Sequence, residues 1–79
     1  MIVKGVASLF SLEARQSLRD YLNIILNDEY DYSKEELVDL YEKITDEFPY
    51  EYGANGEPLL TAKIFESILD VFIKNKLPI

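Results

Sequence analysis

The chain has no cysteine, no histidine and no tryptophan in 79 residues. Without cysteine there is no disulfide framework, no thiolate zinc site and no cysteine nucleophile. Without histidine there is no imidazole base, and no side chain whose ordinary pKa lies near neutrality. Cations are scarce as well: eight Lys and Arg stand against fifteen Asp and Glu, a net charge of −7. The eight are scattered, whereas phosphate recognition needs them clustered, so direct nucleic-acid binding and anionic membrane surfaces are not expected. Long apolar runs are missing too, and no segment reaches the ~20 consecutive apolar residues of a membrane span. The N-terminal segment, residues 1–10, is too short for a secretory h-region with its cleavage site, so a cytoplasmic protein is expected.

What is present is a thin but real core. With 48% apolar and 13% aromatic residues, the chain is too hydrophobic to stay disordered. Surface scaling for this size gives about 4,900 Å² accessible when folded against about 13,300 Å² unfolded. That fits one small domain, residues 1–79, of a size at which packed helices or a second subunit often make up for the small interior.

Three prolines and three glycines punctuate the chain into helical blocks. Ser11 is a good N-cap for a first helix near 12–27. Steps of 100° place Ala14, Leu18, Tyr21, Leu22, Ile25 and Leu26 on one side of it. Ile24 falls off that stripe and is expected to touch another element or another chain. The second helix, near 34–48, has the strongest local signal. Ser33-Lys34-Glu35-Glu36 fits a capping box, and Tyr32 and Leu37 have the spacing of a hydrophobic staple. Leu37, Leu40, Tyr41, Ile44 and Phe48 recur at helical spacing until Pro49 biases Phe48 away from the helix.

Residues 49–58 hold Pro49, Gly53, Gly56 and Pro58 and read as a loop in preference to a small hairpin with Asn55-Gly56 at its tip. A third helix lies near 59–75. It starts either with Pro58 as first helical residue or after Thr61 as N-cap, with Leu60 and Phe65 as staple. Its apolar residues sweep an arc of about 220°, leaving Lys63, Glu66, Asp70 and Lys74 on a narrow polar strip. An arc so wide belongs to the central element of the core or to half of a dimer interface. The expected fold is therefore an all-α three-helix domain, with a homodimeric bundle through the third helix as its extension. Ile64, Phe65, Ile68, Leu69, Phe72 and Ile73 would line that interface.

Two features point outward. Glu35, Asp39, Glu42 and Asp46 fall within about 60° of one another, opposite the apolar seam of the second helix. Like charges at such offsets cost a few tenths of a kcal/mol each. They form either a solvated face or a docking surface for a protein with a basic surface. Tyrosine pairs bracket the same helix, in Glu29-Tyr30-Asp31-Tyr32 before it and Tyr50-Glu51-Tyr52 after it. Tyr32 and Tyr52 are read as packing residues, Tyr30 and Tyr50 as the contact residues, because tyrosine is enriched at binding hot spots.

Catalytic chemistry finds little to work with. No register of the Asp28–Glu36 carboxylates fits a calcium loop: from Asp28, positions three and five are Tyr30 and Tyr32, and from Asp31, position six is Glu36 where glycine is needed. The Ser and Thr hydroxyls have no histidine to activate them, and Gly53-Ala54-Asn55-Gly56 lacks the lysine and spacing of a phosphate loop. No catalytic, cofactor or metal residues are assigned.

In length and charge the chain resembles acyl carrier proteins, which carry phosphopantetheine on a serine following aspartate at a helix start. The nearest analogue is Glu66-Ser67-Ile68, in the middle of the third helix. It is also similar in composition to colicin-type immunity proteins, but Phe48-Pro49-Tyr50 departs from their paired-tyrosine-then-proline order, and no residue is carried over. The expected function is a non-catalytic acidic module that docks on a basic partner, in its specific form a phage or mobile-element inhibitor of a nucleic-acid-handling protein. A structural protein that assembles through the third helix is the alternative, and an acyl-carrier-like protein the third reading.

Overall fold

The computed structural model describes residues 2–78. Three helices carry most of the chain: α1 (Leu12–Leu22), α2 (Lys34–Glu47) and α3 (Leu60–Lys74). The domain is not purely helical. β1 (Ile2–Val3) pairs antiparallel with β2 (Tyr32–Ser33), placing Ile2 opposite Ser33 and Val3 opposite Tyr32. This small sheet ties the N-terminal segment to the start of α2. Between β1 and α1, Gly5 takes a left-handed φ of 67° and the chain turns through a short 3-10 helix, Ala7–Leu9. That turn buries Val6, Ala7 and Phe10.

Ser11 caps α1 as expected, its Oγ accepting from the Ala14 N–H at 3.1 Å. The helix ends five residues before the expected Asn27. Asn23 adopts a left-handed conformation (φ 57°, ψ 33°), and the Ile24 N–H turns back to the Leu18 carbonyl at 3.1 Å. Asparagine is one of the few residues besides glycine that reaches this region easily, so it serves as a C-terminal stop. Beyond it Ile24, Ile25 and Leu26 run without helical bonding and alternate inward, outward and inward. Leu26 is buried and Ile24 packs on the core, while Ile25 is 75% exposed. The helical stripe expected to include Ile25 therefore ends at Leu22.

At α2 both halves of the capping box form. Ser33 Oγ accepts from the Glu36 N–H at 3.2 Å, and Glu36 Oε1 accepts from the Ser33 N–H at 3.0 Å. The helix stops at Phe48, which is extended (φ −67°, ψ 127°) before Pro49.

The segment expected as a loop closes as a short hairpin. Tyr52 and Pro58 form an antiparallel bridge, flanked by Gly53 N–H to Glu57 carbonyl (2.7 Å) and Leu59 N–H to Glu51 carbonyl (3.1 Å). The Gly56 N–H bonds the Gly53 carbonyl at 3.0 Å, with Gly56 at φ 81°. Pro58 is tolerated because the flanking bonds use the amides of Gly53 and Leu59 and leave its missing N–H unneeded. Neither expected start of α3 is used. Leu59 is the cap residue, and Thr61 Oγ1 instead accepts from the Glu51 N–H at 3.0 Å.

The end of α3 is a Schellman motif. Lys76 is left-handed (φ 53°), the Leu77 N–H reaches the Phe72 carbonyl at 2.9 Å, and the Lys76 N–H reaches Ile73 at 3.2 Å. This folds Leu77 into the same buried cluster as Phe72.

The core joins α1 (Ala14, Leu18, Leu22), α2 (Leu37, Ile44), α3 (Ile64, Ile68, Phe72) and the flanking Val6, Phe10, Phe48 and Leu77. Phe72 is fully buried, with edge contacts to Phe10 at 5.8 Å and Tyr41 at 5.2 Å. Replacing Phe72 by alanine is expected to cost about 3–5 kcal/mol in urea unfolding. Ser33→Ala, which opens the capping box, is expected to cost about 1 kcal/mol. A Phe72→Ala cost below about 1 kcal/mol, the ordinary size for a single substitution, would contradict the central place given to this ring.

Candidate functional site

α2 has 14 residues, so it is about 21 Å long. Its core side carries Leu37 and Ile44, with Leu40 and Tyr41 partly buried beside them. The opposite side presents Glu35, Asp39, Glu42 and Asp46, all exposed. The three ion pairs among the described residues are Arg15–Asp28, Arg19–Asp20 and Lys74–Asp70, so none of these four carboxylates is engaged in one. Their charge faces solvent, and the cations on the same helix are the exposed Lys34 and Lys43.

The tyrosines at the two ends are held by different devices. Tyr30 packs edge-on against Tyr32 at 4.8 Å and donates its hydroxyl to Glu36 at 2.6 Å. That hydrogen bond is the main reason the Tyr30 hydroxyl is pushed above its ordinary pKa, with desolvation and the Glu36 charge adding to it. The same bond, with those from Ser33, holds the Glu36 carboxyl below the usual carboxylate range. Tyr30 therefore extends the capping box into a three-residue network at the α2 N-terminus and keeps 45% of its surface exposed.

At the other end, aromatic rings run in series from α1 through α3. Tyr21 meets Phe48 at 5.5 Å, Phe48 meets Phe65 at 5.7 Å, and Tyr50 stacks on Phe65 at 4.5 Å. Tyr52 closes the series against Tyr50 at 6.2 Å and donates its hydroxyl to Glu66 at 3.2 Å, which raises its pKa. Tyr50 is 46% exposed, so one face packs while the rest remains free. The sequence shows the tyrosines but not Tyr21 and Phe65 beside them, because that adjacency joins three elements.

Two surface grooves border the extended segment after α1. One, of about 280 Å³, is lined by Leu12, Arg15, Gln16, Arg19, Ile25 and Leu26. The other, of about 320 Å³, lies toward α2 and includes Ile24, Tyr32, Leu40, Asp39 and Lys43. Sequence reasoning did not find either groove, since both exist only because α1 stops at Leu22.

The residues expected at a helix interface divide by burial. Ile64, Ile68 and Phe72 are buried within the chain, Phe65 and Leu69 are partly buried, and Ile73 alone of the six is exposed, at 60%. α3 is thus a central element of this domain. Ser67, the nearest analogue of a carrier serine, donates its hydroxyl to the Ile64 carbonyl at 2.7 Å within the helix. Among the described residues no group of three or more carboxylates is placed to hold a metal ion, and no helix is long and apolar enough to cross a membrane. The chain matches no family model, no curated protein and no solved structure.

The network around Glu36 makes a pH prediction. A depressed carboxylate pKa contributes stability that is present above the ordinary value, about 4.3, and is lost as pH falls through the lowered one. A raised tyrosine pKa contributes stability below about 10 that is lost as pH rises through the raised value. Tyr30→Phe should therefore lower the urea midpoint at neutral pH, with the gap to the native chain closing in strong acid and again above pH 10. A gap that stays constant across that range would show that the hydrogen bond contributes nothing.

Proposed function

We propose that the protein is a non-catalytic interaction module that docks α2 on the basic surface of a protein partner. The observation that carries this reading is the α2 outer face itself. Four exposed carboxylates without ion-pair partners among the described residues lie between half-exposed tyrosines anchored at each end.

Like charges on one helix face repel by a few tenths of a kcal/mol per pair. A basic partner removes that repulsion and gains attraction, and the field of the stripe accelerates encounter. Tyr30 and Tyr50 supply contact area whose rotamers are already restricted, by Glu36 and by Phe65, so less entropy is lost on docking. The basic partner surface that best fits such a face is one built for phosphate. In its specific form the proposal is an inhibitor that occupies the binding site of a nucleic-acid-handling protein, as a phage or mobile element would use.

Capture from lysate at low and high salt, followed by competition with duplex DNA, tests the reading. A specific partner should be retained at low salt, released at high salt and displaced by DNA. Reversing Glu35, Asp39, Glu42 and Asp46 to lysine should abolish its capture, and Tyr50→Ala should weaken it by about 1–2 kcal/mol, the range of an interface hot spot. Capture that survives the fourfold reversal would reduce the stripe to a solvated face.

A further inference from the structure

Residues 23–28 leave α1 as an extended strap, although the helical spacing of α1 continues through Ile25 and Leu26. Either conformation hides two of the three apolar residues. The extended strap buries Leu26 and packs Ile24 on the core, while Ile25 is 75% exposed. A helix continued to Asn27 would bring Ile25 and Leu26 onto the side of Leu18 and Leu22 and turn Ile24 outward. The exchange is one isoleucine for another, so apolar burial does not decide between the two. Backbone bonding favours the helix. Among the described residues the Ile25 and Leu26 amides donate to no protein group, and a continued helix would aim them at the Tyr21 and Leu22 carbonyls.

Two devices oppose it. Asn23 holds the left-handed conformation, φ 57°, that interrupts α1. Arg15, one of α1's own residues, ties the far end of the strap back to the helix. Its guanidinium meets both Asp28 carboxylate oxygens at 3.2 Å and donates to the Leu26 carbonyl at 3.3 Å. Between these two points the strap is loosely packed, since Ile25 and Leu26 border a groove on each flank, of about 280 and 320 Å³.

We propose that residues 23–28 form a two-state strap, held extended by the Arg15 latch, which winds onto α1 as an extra turn when that latch is released. Winding withdraws Asp28 from Arg15 and the Asn27 N–H from the Tyr32 hydroxyl, 3.2 Å away in the extended state. Asp28–Asp31 remain to join the longer helix to β2, a reach of about 13 Å. The latch is an exposed ion pair, so salt weakens it and leaves the apolar exchange untouched. Tyr32 packs edge-on against Tyr30, which links the strap to the tyrosine at the start of α2. An effect on partner docking rests on the α2 reading above; the switch itself does not.

Backbone NMR of the full chain tests the proposal through the Cα shifts and sequential contacts of Ile24, Ile25 and Leu26. The native chain at low salt should show extended values there. Asn23→Ala, which removes the residue suited to the left-handed stop, and Arg15→Gln, which removes the latch, should each move all three shifts toward helical values. The double variant should be predominantly helical through Leu26. Asn23→Gly, which favours the left-handed stop, should return the Arg15→Gln chain to extended values. Unchanged shifts in α2 and α3 show that the rest of the fold persists. Strap shifts in the double variant that stay extended, or that become those of disordered chain while α2 and α3 are intact, overturn the proposal. Should the double variant unfold, the native chain carries the test alone: raising salt to about 1 M must move the three shifts toward helical values, and no movement overturns it. No partner enters these measurements, so failure of α2 docking and failure of the switch are read separately.

Discussion

Covering the wide apolar face of α3 is the demand around which the domain is arranged. Phe72 is at its centre, fully buried and met edge-on by Phe10 from the N-terminal segment and Tyr41 from α2. Two helices cannot close an arc of about 220° by themselves. Part of the remainder is covered by pieces outside the three α-helices, while Leu60 and Ile73 stay exposed. The turn before α1 contributes Val6, Ala7 and Phe10, and the Schellman motif after α3 folds Leu77 back over Phe72. The β1–β2 pairing holds the first of these in place. The accessible surface of 5191 Å² exceeds the ~4,900 Å² expected at this size, the mark of a domain whose interior is small for its covering.

This arrangement also decides what is left outside. α2 uses Leu37 and Ile44, with Leu40 and Tyr41 partly buried beside them, to reach the core and turns its opposite face to solvent. Its acidic stripe is consequently presented whole, on a helix fixed at its start by the Ser33–Glu36–Tyr30 network and beyond its end by Phe48 against Tyr21 and Phe65. The carboxylates themselves make no ion pair among the described residues, yet both ends of the helix that carries them are constrained. A charged surface with a fixed geometry can be complementary to one partner and not to another, which a mobile acidic tail cannot.

Where a local rule has a single strong signal, it was legible in the residues. Ser33 and Glu36 specify the start of α2, Pro49 its end, and Ser11 the start of α1. The misreadings occur where two local rules competed. Ile25 and Leu26 continue the helical spacing of α1, but Asn23 offers a left-handed stop, and the stop prevails. Pro58 argued against a hairpin, although the bonds around it need only the amides of Gly53 and Leu59. Thr61 has the chemistry of an N-cap but is used to hold Glu51. The strand pair had no signal at all, since two residues on each side carry no periodicity. For the candidate site, the carboxylates and tyrosines were visible as residue types at helical spacing. The aromatic series through Tyr21 and Phe65, and the grooves beside Ile25, depend on tertiary placement and were not.

Asp39 belongs to both outward surfaces, the stripe along α2 and the rim of the groove beside Ile25. The two arginines nearest that groove, Arg15 and Arg19, are already paired within the chain with Asp28 and Asp20, so they do not offset the stripe. The excess negative charge of the chain is therefore expressed where no ion pair answers it among the described residues, on the exposed carboxylates of α2, and that is the charge a basic surface would meet.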